Sequence, residues 1–353
     1  MSLVPVTIVT GLPCSGKTSL IRQLIQHQNG ERIVWIAMSF ESTVTPTDVD
    51  LRVLSGEEQV VDIDNGELRC QVRGDLLRAV RTLQTQRAQG VLQFDRVIIE
   101  TSGLAEPAPV VQTFFADEAI CDQYRLDAVI TVLNAEQAME QLDAHHEAQD
   151  QVGFADRIVL TRNDTITAGA SRALHGRLKR MNPRARLLSS DSHLVMAQQL
   201  LDIRGFTLNG VLDIDAGGLI DAENARDGDV TSFVFRTQQA FDKQRVEDFF
   251  SSMLLVYADR LIRYKGVVTV AGAAQPVVIQ GVHRLMGTDA DDDWKKGAPR
   301  DNRILFIGRN MPQEVIVQGL SDCLIAPGAT EATPRPAAIK KGSTMQPPFR
   351  RVT

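Results

Sequence analysis

The chain has 353 residues, 43% of them hydrophobic and 23% charged, a composition of globular proteins and a length beyond one typical core. Its formal net charge of −6 argues against nucleic acid or an acidic membrane as the main partner. The four cysteines, Cys14, Cys70, Cys121 and Cys323, form no C-x-x-C pair, and no apolar run reaches the ~18 residues of a membrane helix, so a reducing cytoplasm is the expected setting.

Met1-Ser2-Leu3 leads into the apolar run Val4–Val9 without the pattern of a signal peptide. Next comes Gly11-Leu12-Pro13-Cys14-Ser15-Gly16-Lys17-Thr18, which then opens the helical pattern Ser19–Ile25. Strand, Gly-rich loop and helix in that order, with the spacing G-x-x-x-x-G-K-[ST], make a phosphate cradle. Backbone N–H groups from Gly11 to Ser19 would turn toward the phosphates, Lys17 would reach the β- and γ-phosphates, and Thr18 would ligate Mg²⁺.

Further apolar runs follow at Ile33–Ile36, Val60–Ile63, Arg96–Ile99, Ala128–Leu133 and Arg157–Leu160, with helical patterns at Asp75–Gln89 and Ala168–Met181 among them. Continuous β-branched runs alternating with helices predict an α/β fold, a P-loop NTPase whose mostly parallel sheet carries helices on both faces. The expected domain occupies 1–205. Glycines and acidic residues from 206 to 228 predict a linker. From 229 to 325 a strand at Thr231–Arg236, a helix at Asp242–Tyr257, strands around Ile262–Val270, Pro276–Val282 and Arg303–Ile307, and a helix at Gln313–Cys323 predict a smaller α+β domain. The Pro-, Ala- and Thr-rich stretch 326–353 is expected to be a disordered tail.

Two later segments extend the nucleotide reading. Asp95–Glu100 ends a buried strand in a carboxylate, and Thr101-Ser102-Gly103 follows, so Glu100 is the candidate for the Mg²⁺ shell or the attacking water and the Gly103 N–H for sensing the γ-phosphate. Thr161-Arg162-Asn163-Asp164 stands where guanine-nucleotide proteins carry N-K-x-D; an Asp164 carboxylate can accept from guanine N1–H and N2–H₂, which adenine cannot offer. Thr161 and Arg162 depart from that pattern, so an ATP-using P-loop protein stays open, as does a plain helix cap by Asn163 or Asp164.

Gly11–Thr18, Glu100–Pro107, Gln151–Thr161 and Leu261-Ile262-Arg263-Tyr264-Lys265-Gly266 together resemble the CobW-like P-loop GTPases, a likeness running from residue 4 to about 324. The resemblance implies a GTP/GDP-binding domain of the same class as the urease and hydrogenase maturation GTPases, with slow GTP hydrolysis and metal delivery to client proteins. The family's C-x-C-C motif corresponds to Asn65–Cys70, where Cys70 is the one thiol left and the candidate Zn²⁺ ligand. Arg69 sits where a thiolate would be, Glu67 and Glu41 are the nearby oxygen donors, and the family's acid-rich segment reads Ala37-Met38-Ser39-Phe40-Glu41-Ser42. A tetrahedral site needs three or four ligands, so Zn²⁺ is doubtful on the sequence. His145 and His146, adjacent on one predicted helix, cannot chelate as an i, i+4 pair, and His283 is expected on a strand.

The sequence thus predicts a Mg²⁺-dependent GTPase with Lys17, Thr18 and Glu100 as its catalytic groups. With no catalytic Gln or Arg finger evident, turnover should be slow and open to acceleration by a partner or by homodimerisation. A nucleotide-switched adaptor without metal cargo is the alternative, and the client protein is unknown.

Overall fold

The computed structural model describes residues 3–26, 30–38, 49–54, 72–190, 197–206, 230–273, 275–290, 302–325 and 350–351. The chain divides into two compact units, Met1–Phe206 and Thr207–Thr353. The first runs β1 (Val4–Thr10), α1 (Lys17–Gln26), β2 (Ile33–Met38), β3 (Val49–Leu54), α2 (Val72–Ala88), β4 (Arg96–Glu100), α3 (Pro107–Ala116), α4 (Glu118–Cys121) and β5 (Tyr124–Asn134). It continues with α5 (Ala138–Ala144), α6 (His146–Phe154), β6 (Arg157–Thr161), α7 (Ala168–Met181), β7 (Arg186–Ser189) and α8 (Ala197–Leu200).

The strand order is β3-β2-β4-β1-β5-β6-β7, parallel except for β3, which runs antiparallel on β2. The strands read as unbroken apolar runs because helices bury both faces: every residue of β4 is buried, as are six of the seven in β1. Leu20, Ile21 and Leu24 form the inner face of α1 and belong to one core with Val9, Ile98, Ile130 and Val132. Burying each such side chain contributes about 1.5–3 kcal/mol, which holds the helix, and therefore the loop before it, against the sheet.

Register brings the functional segments together. Val9 lies opposite Glu100, and Asn134 opposite Thr161, so the carboxyl ends of β1, β4, β5 and β6 form one edge. The strand order reverses about β1, where α/β sheets hold their ligands. At the opposite end the buried Arg96 pairs with Glu31 at 3.1 Å, Asp202 at 2.9 Å and Asp127 at 3.7 Å, while the Arg204 N–H donates to Asp127 Oδ1 at 2.8 Å. This network fastens the segment after α8 to the base of the sheet. Phe206, which the sequence placed at the start of a linker, is buried against Phe115.

Two expectations change in this unit. The helix expected to carry both His145 and His146 is broken at His145, whose backbone is extended between α5 and α6. The break is stabilised by side chains: Gln149 Nε2 and Arg177 donate to the Leu142 carbonyl that loses its helical partner. No Gly or Pro marks the place. β3 and β7 are additional strands, while the expected strand Val60–Ile63 lies outside the described residues.

The second unit holds β8 (Val230–Thr237), α9 (Lys243–Tyr257), β9 (Leu261–Val268), β10 (Val277–Val282), β11 (Leu285–Ala290), β12 (Asn302–Arg309), α10 (Gln313–Asp322) and β13 (Arg350–Arg351). Its antiparallel sheet has the order β13-β11-β10-β9-β12-β8. Stacked Phe233, Phe250, Tyr264 and Phe306 centre its core. Asp242 caps α9 by accepting from the Arg245 N–H at 3.0 Å. His283 is not on a strand: it begins the two-residue turn between β10 and β11, with φ 49° and Nδ1 3.0 Å from the Ala258 carbonyl. Arg350 and Arg351, expected within a disordered tail, pair with Met286 and Leu285. Residues 207–228 of the expected linker and 326–349 of the tail lie outside the described residues.

Candidate functional site

The loop between β1 and α1 is shaped by backbone that few residues tolerate. Gly11 has φ 147°, and a Cβ there would strike the Val132 carbonyl; Gly16 has φ 100° and Cys14 φ 61°. The loop therefore curls over the N-terminus of α1, with its N–H groups and the helix dipole available to an anion. Lys17 is buried and donates from Nζ to the Gly11 and Leu12 carbonyls at 2.7 and 3.0 Å. Burial pulls its pKa below the ordinary lysine value, and Glu100 and Cys14 offset part of that. The ammonium has three donors, so one proton is left for a phosphate oxygen.

Thr18 Oγ1 donates to Glu100 Oε1 at 2.6 Å, bringing together a hydroxyl and a carboxylate that are 82 residues apart. The pair forms the oxygen donors a Mg²⁺ ion takes, and the residues fit that ion. Thr101 is pinned to β1 by its N–H to Val9 O at 3.0 Å and by its hydroxyl to Thr10 Oγ1 at 2.8 Å. Gly103 then passes so close to Pro13 that a Cβ would collide with the proline ring. Lys17, Thr18, Glu100, Ser102 and Gly103 line one cavity of ≈470 Å³, together with Pro13, Arg22 and Trp35.

Thr161 ties the base-side segment to the phosphate loop: its hydroxyl donates to Ser15 O at 2.9 Å. Arg162 takes a left-handed backbone, φ 53°, and its guanidinium pairs with Glu136 at 3.2 Å. Thr165 donates to the other Glu136 oxygen at 2.7 Å, and the Thr165 and Arg162 hydrogen bonds hold that carboxyl below the usual range. Asp164 is exposed, and its carboxylate makes no hydrogen bond to a described residue. Helix α7 is capped instead by Thr167, which accepts from the Ala170 N–H at 3.2 Å, leaving the Asp164 carboxylate available to a ligand.

Three contributors escaped the sequence reading. Gln151 is fully buried and donates from Nε2 to Gly103 O and Ala105 O, both at 3.1 Å, so α6 grips the segment after β4. It stands inside the stretch Gln151–Thr161, but a Gln on a helix gives no signal of its partner. Glu136 follows β5 without a motif, and Ser102 lies within the quoted motif with no role read for it. Pro13 and Cys14 lie in the loop before α1 and Ser19 in its first turn; Cys14 and Ser19 are exposed. Cys70, Glu67 and Glu41, the proposed zinc donors, lie outside the described residues. Among the described residues, no three His, Cys, Asp or Glu side chains gather as a metal site, and no helix is long and apolar enough to cross a membrane.

A strand, a phosphate loop with buried lysine, a helix-borne threonine and a strand-end glutamate define a P-loop nucleotide-binding protein. Residues 5–189 match the family described as CobW/HypB/UreG, nucleotide-binding domain, and residues 230–324 match the Cobalamin synthesis protein cobW C-terminal domain. The chain is 34% identical over 318 residues to the zinc chaperone YjiA of Escherichia coli, covering 90% of this chain and 97% of YjiA. It is 24% identical to the zinc-regulated GTPase metalloprotein activator 1 of Dictyostelium discoideum, covering 91% of this chain and 80% of that protein. The crystal structure of Zn(II)-bound YjiA GTPase from E. coli superposes with a TM-score of 0.74 at 30% identity, over 92% of this chain and 99% of that one. This chain belongs to the CobW family of P-loop GTPases. The doubt that its sequence raised over zinc finds no support among these relatives, a zinc chaperone and a zinc-regulated GTPase.

Proposed function

We propose that this protein is a slow, Mg²⁺-dependent GTPase whose nucleotide cycle serves delivery of a metal, zinc by analogy with the relatives, to a client protein. The observation that carries the reading is the convergence of Lys17, the Thr18–Glu100 pair and Gly103 on one cavity at the helix N-terminus. Loop amides and Lys17 hold the triphosphate and meet the charge that develops on the β–γ bridging oxygen. Thr18, backed by Glu100, would hold Mg²⁺, which supplies charge neutralisation of the β- and γ-phosphates when bound. Asp164 reads guanine, with Thr161 fixing its loop to the phosphate loop. Water attacks the γ-phosphorus, the bond to the bridging oxygen breaks, and GDP and phosphate leave; no side chain takes part covalently. We expect slow turnover because no glutamine is among the residues that line the cavity and the sequence shows no evident arginine finger.

A second reading, a nucleotide-switched adaptor without metal cargo, is motivated by Ala37 and Met38, which line the cavity where the family's segment is acidic. Two measurements test the proposal. GDP and ADP compete against a fluorescent guanine nucleotide, with Asp164→Asn assayed for a switch from guanosine to xanthosine nucleotides; equal GDP and ADP affinities and no switch would remove Asp164 as the base reader. Zn²⁺ titration against a chelator, on GDP-loaded and GTP-analogue-loaded protein, separates the cargo readings: binding that depends on nucleotide supports delivery, and absent binding leaves the adaptor.

A further inference from the structure

Ser102 is nine-tenths buried, lines the ≈470 Å³ cavity beside Glu100 and Gly103, and its hydroxyl has no hydrogen-bond partner among the described residues. A buried hydroxyl left unpaired costs stability, and each one in a native fold asks for a reason. Its neighbours are all committed. Thr101 is bonded to β1 through both its N–H and its hydroxyl, Gly103 abuts Pro13, the Ser102 carbonyl accepts from the Ala105 N–H at 3.1 Å, and Gln151 holds the carbonyls of Gly103 and Ala105. The backbone on each side is therefore fixed, and the hydroxyl cannot swing with it to find a protein partner. The hydroxyl is thus unanswered by the described residues, in a residue that lines the nucleotide cavity.

We infer that the Ser102 hydroxyl is a further catalytic group, one that hydrogen-bonds the γ-phosphoryl group of bound GTP as it transfers to water. This rests on the reading of the loop as a GTP site and deepens it. The position fits: Thr18 and Glu100 mark the metal side of the cavity, the Gly103 N–H is the candidate sensor of the γ-phosphate, and Ser102 stands between Glu100 and Gly103. A hydroxyl can donate to a phosphoryl oxygen while accepting from the attacking water, which a methyl cannot. Ser102 is neither deprotonated nor modified: the new bond is water oxygen to γ-phosphorus, the broken one is γ-phosphorus to bridging oxygen, and the electron pair stays on GDP.

The experiment compares wild type with Ser102→Ala and Ser102→Thr, measuring single-turnover GTP hydrolysis and the affinities for GDP and for a non-hydrolysable GTP analogue. In Ser102→Ala we expect hydrolysis to fall about 10- to 100-fold and the analogue-to-GDP affinity ratio to fall several-fold, with GDP binding itself unchanged. Ser102→Thr, which keeps a hydroxyl, should recover most of both. Apo Ser102→Ala should melt no lower than wild type, because it loses a hydroxyl without a partner. A variant with wild-type rate and wild-type affinity ratio overturns the assignment, and so does an equal loss of GDP and analogue affinity with the rate unchanged. If wild type itself binds nucleotide without hydrolysing it, the GTPase reading fails, yet the affinity ratio still decides whether Ser102 meets the γ-phosphate.

Discussion

Thr18 Oγ1 and Glu100 Oε1 stand 2.6 Å apart across 82 residues of sequence, with the threonine donating. The bond leaves the threonine oxygen free to accept or ligate, and the Glu100 charge acts on Lys17, so the oxygen donors of the proposed cation site are already together. Glu100→Gln retains an acceptor for Thr18 but removes the charge. We expect about a 10²-fold loss of turnover and a higher Mg²⁺ requirement, with GDP binding at saturating Mg²⁺ little changed. Steady-state phosphate release against Mg²⁺ concentration reads both; an unaltered Mg²⁺ dependence would place Glu100 outside the metal's shell.

Gln151 gives a prediction about motion. Its Nε2 bridges the Gly103 and Ala105 carbonyls from inside the core, and Thr131 donates to its own carbonyl at 2.6 Å. Gln151→Leu keeps the volume and breaks both bridges, leaving two carbonyls unpaired at about 1–3 kcal/mol each. Hydrogen exchange at residues 103–105 should accelerate and hydrolysis should fall, whereas exchange in β1 and α1 stays as in wild type. Uniform acceleration across the domain would instead mark Gln151 as a general stability residue.

These two residues also show where the sequence was legible. Gly11–Thr18 announces itself because phosphate binding demands Gly at particular backbone angles and Lys-Thr at fixed offsets, and Glu100 is readable as the polar end of an apolar run. The parallel sheet is readable for the same reason, since burial on both faces leaves uninterrupted β-branched runs. Gln151 and Ser102 depend on which carbonyl or cavity lies across the fold, and spacing along the chain does not encode that. The break at His145 is hidden likewise: Gln149 and Arg177 replace the lost helical bonds from positions that look like ordinary helix. The edge strand β3 was within reach, for Val49-Asp50-Leu51-Arg52-Val53 alternates as strands do.

Glu136 braces the segment that presents Asp164. One carboxylate oxygen holds Arg162 and the other Thr165, whose hydroxyl proton is shared between Glu136 Oε1 at 2.7 Å and the Arg162 carbonyl at 2.8 Å. The brace steadies a left-handed residue on one side of Asp164 and the turn on the other. Glu136→Ala should weaken GDP about 2- to 5-fold, an effect that shrinks in high salt because the pair is exposed. ADP binding should not change if Asp164 reads guanine as proposed. A titration of both nucleotides at low and high salt checks this, and equal losses for GDP and ADP would deny Glu136 any part in base selection.

The buried end of the sheet makes a prediction about pH. Asp127 is fully buried, and burial raises its pKa, with the Arg204 N–H and Arg96 pulling the other way. Arg96→Leu removes the cation and leaves Asp127 charged in the core at neutral pH, a loss of about 3–5 kcal/mol. Because the folded value lies above the unfolded one, the folded state takes its proton first, and protonation adds stability as pH falls from above the folded pKa toward the ordinary carboxylate range. The deficit of Arg96→Leu should therefore be largest at neutral and alkaline pH and shrink on acidification. Urea unfolding of both proteins across that range tests it. A deficit independent of pH would mean that Arg96 matters through its bonds to Glu31 and Asp202, and through its packing, rather than through Asp127.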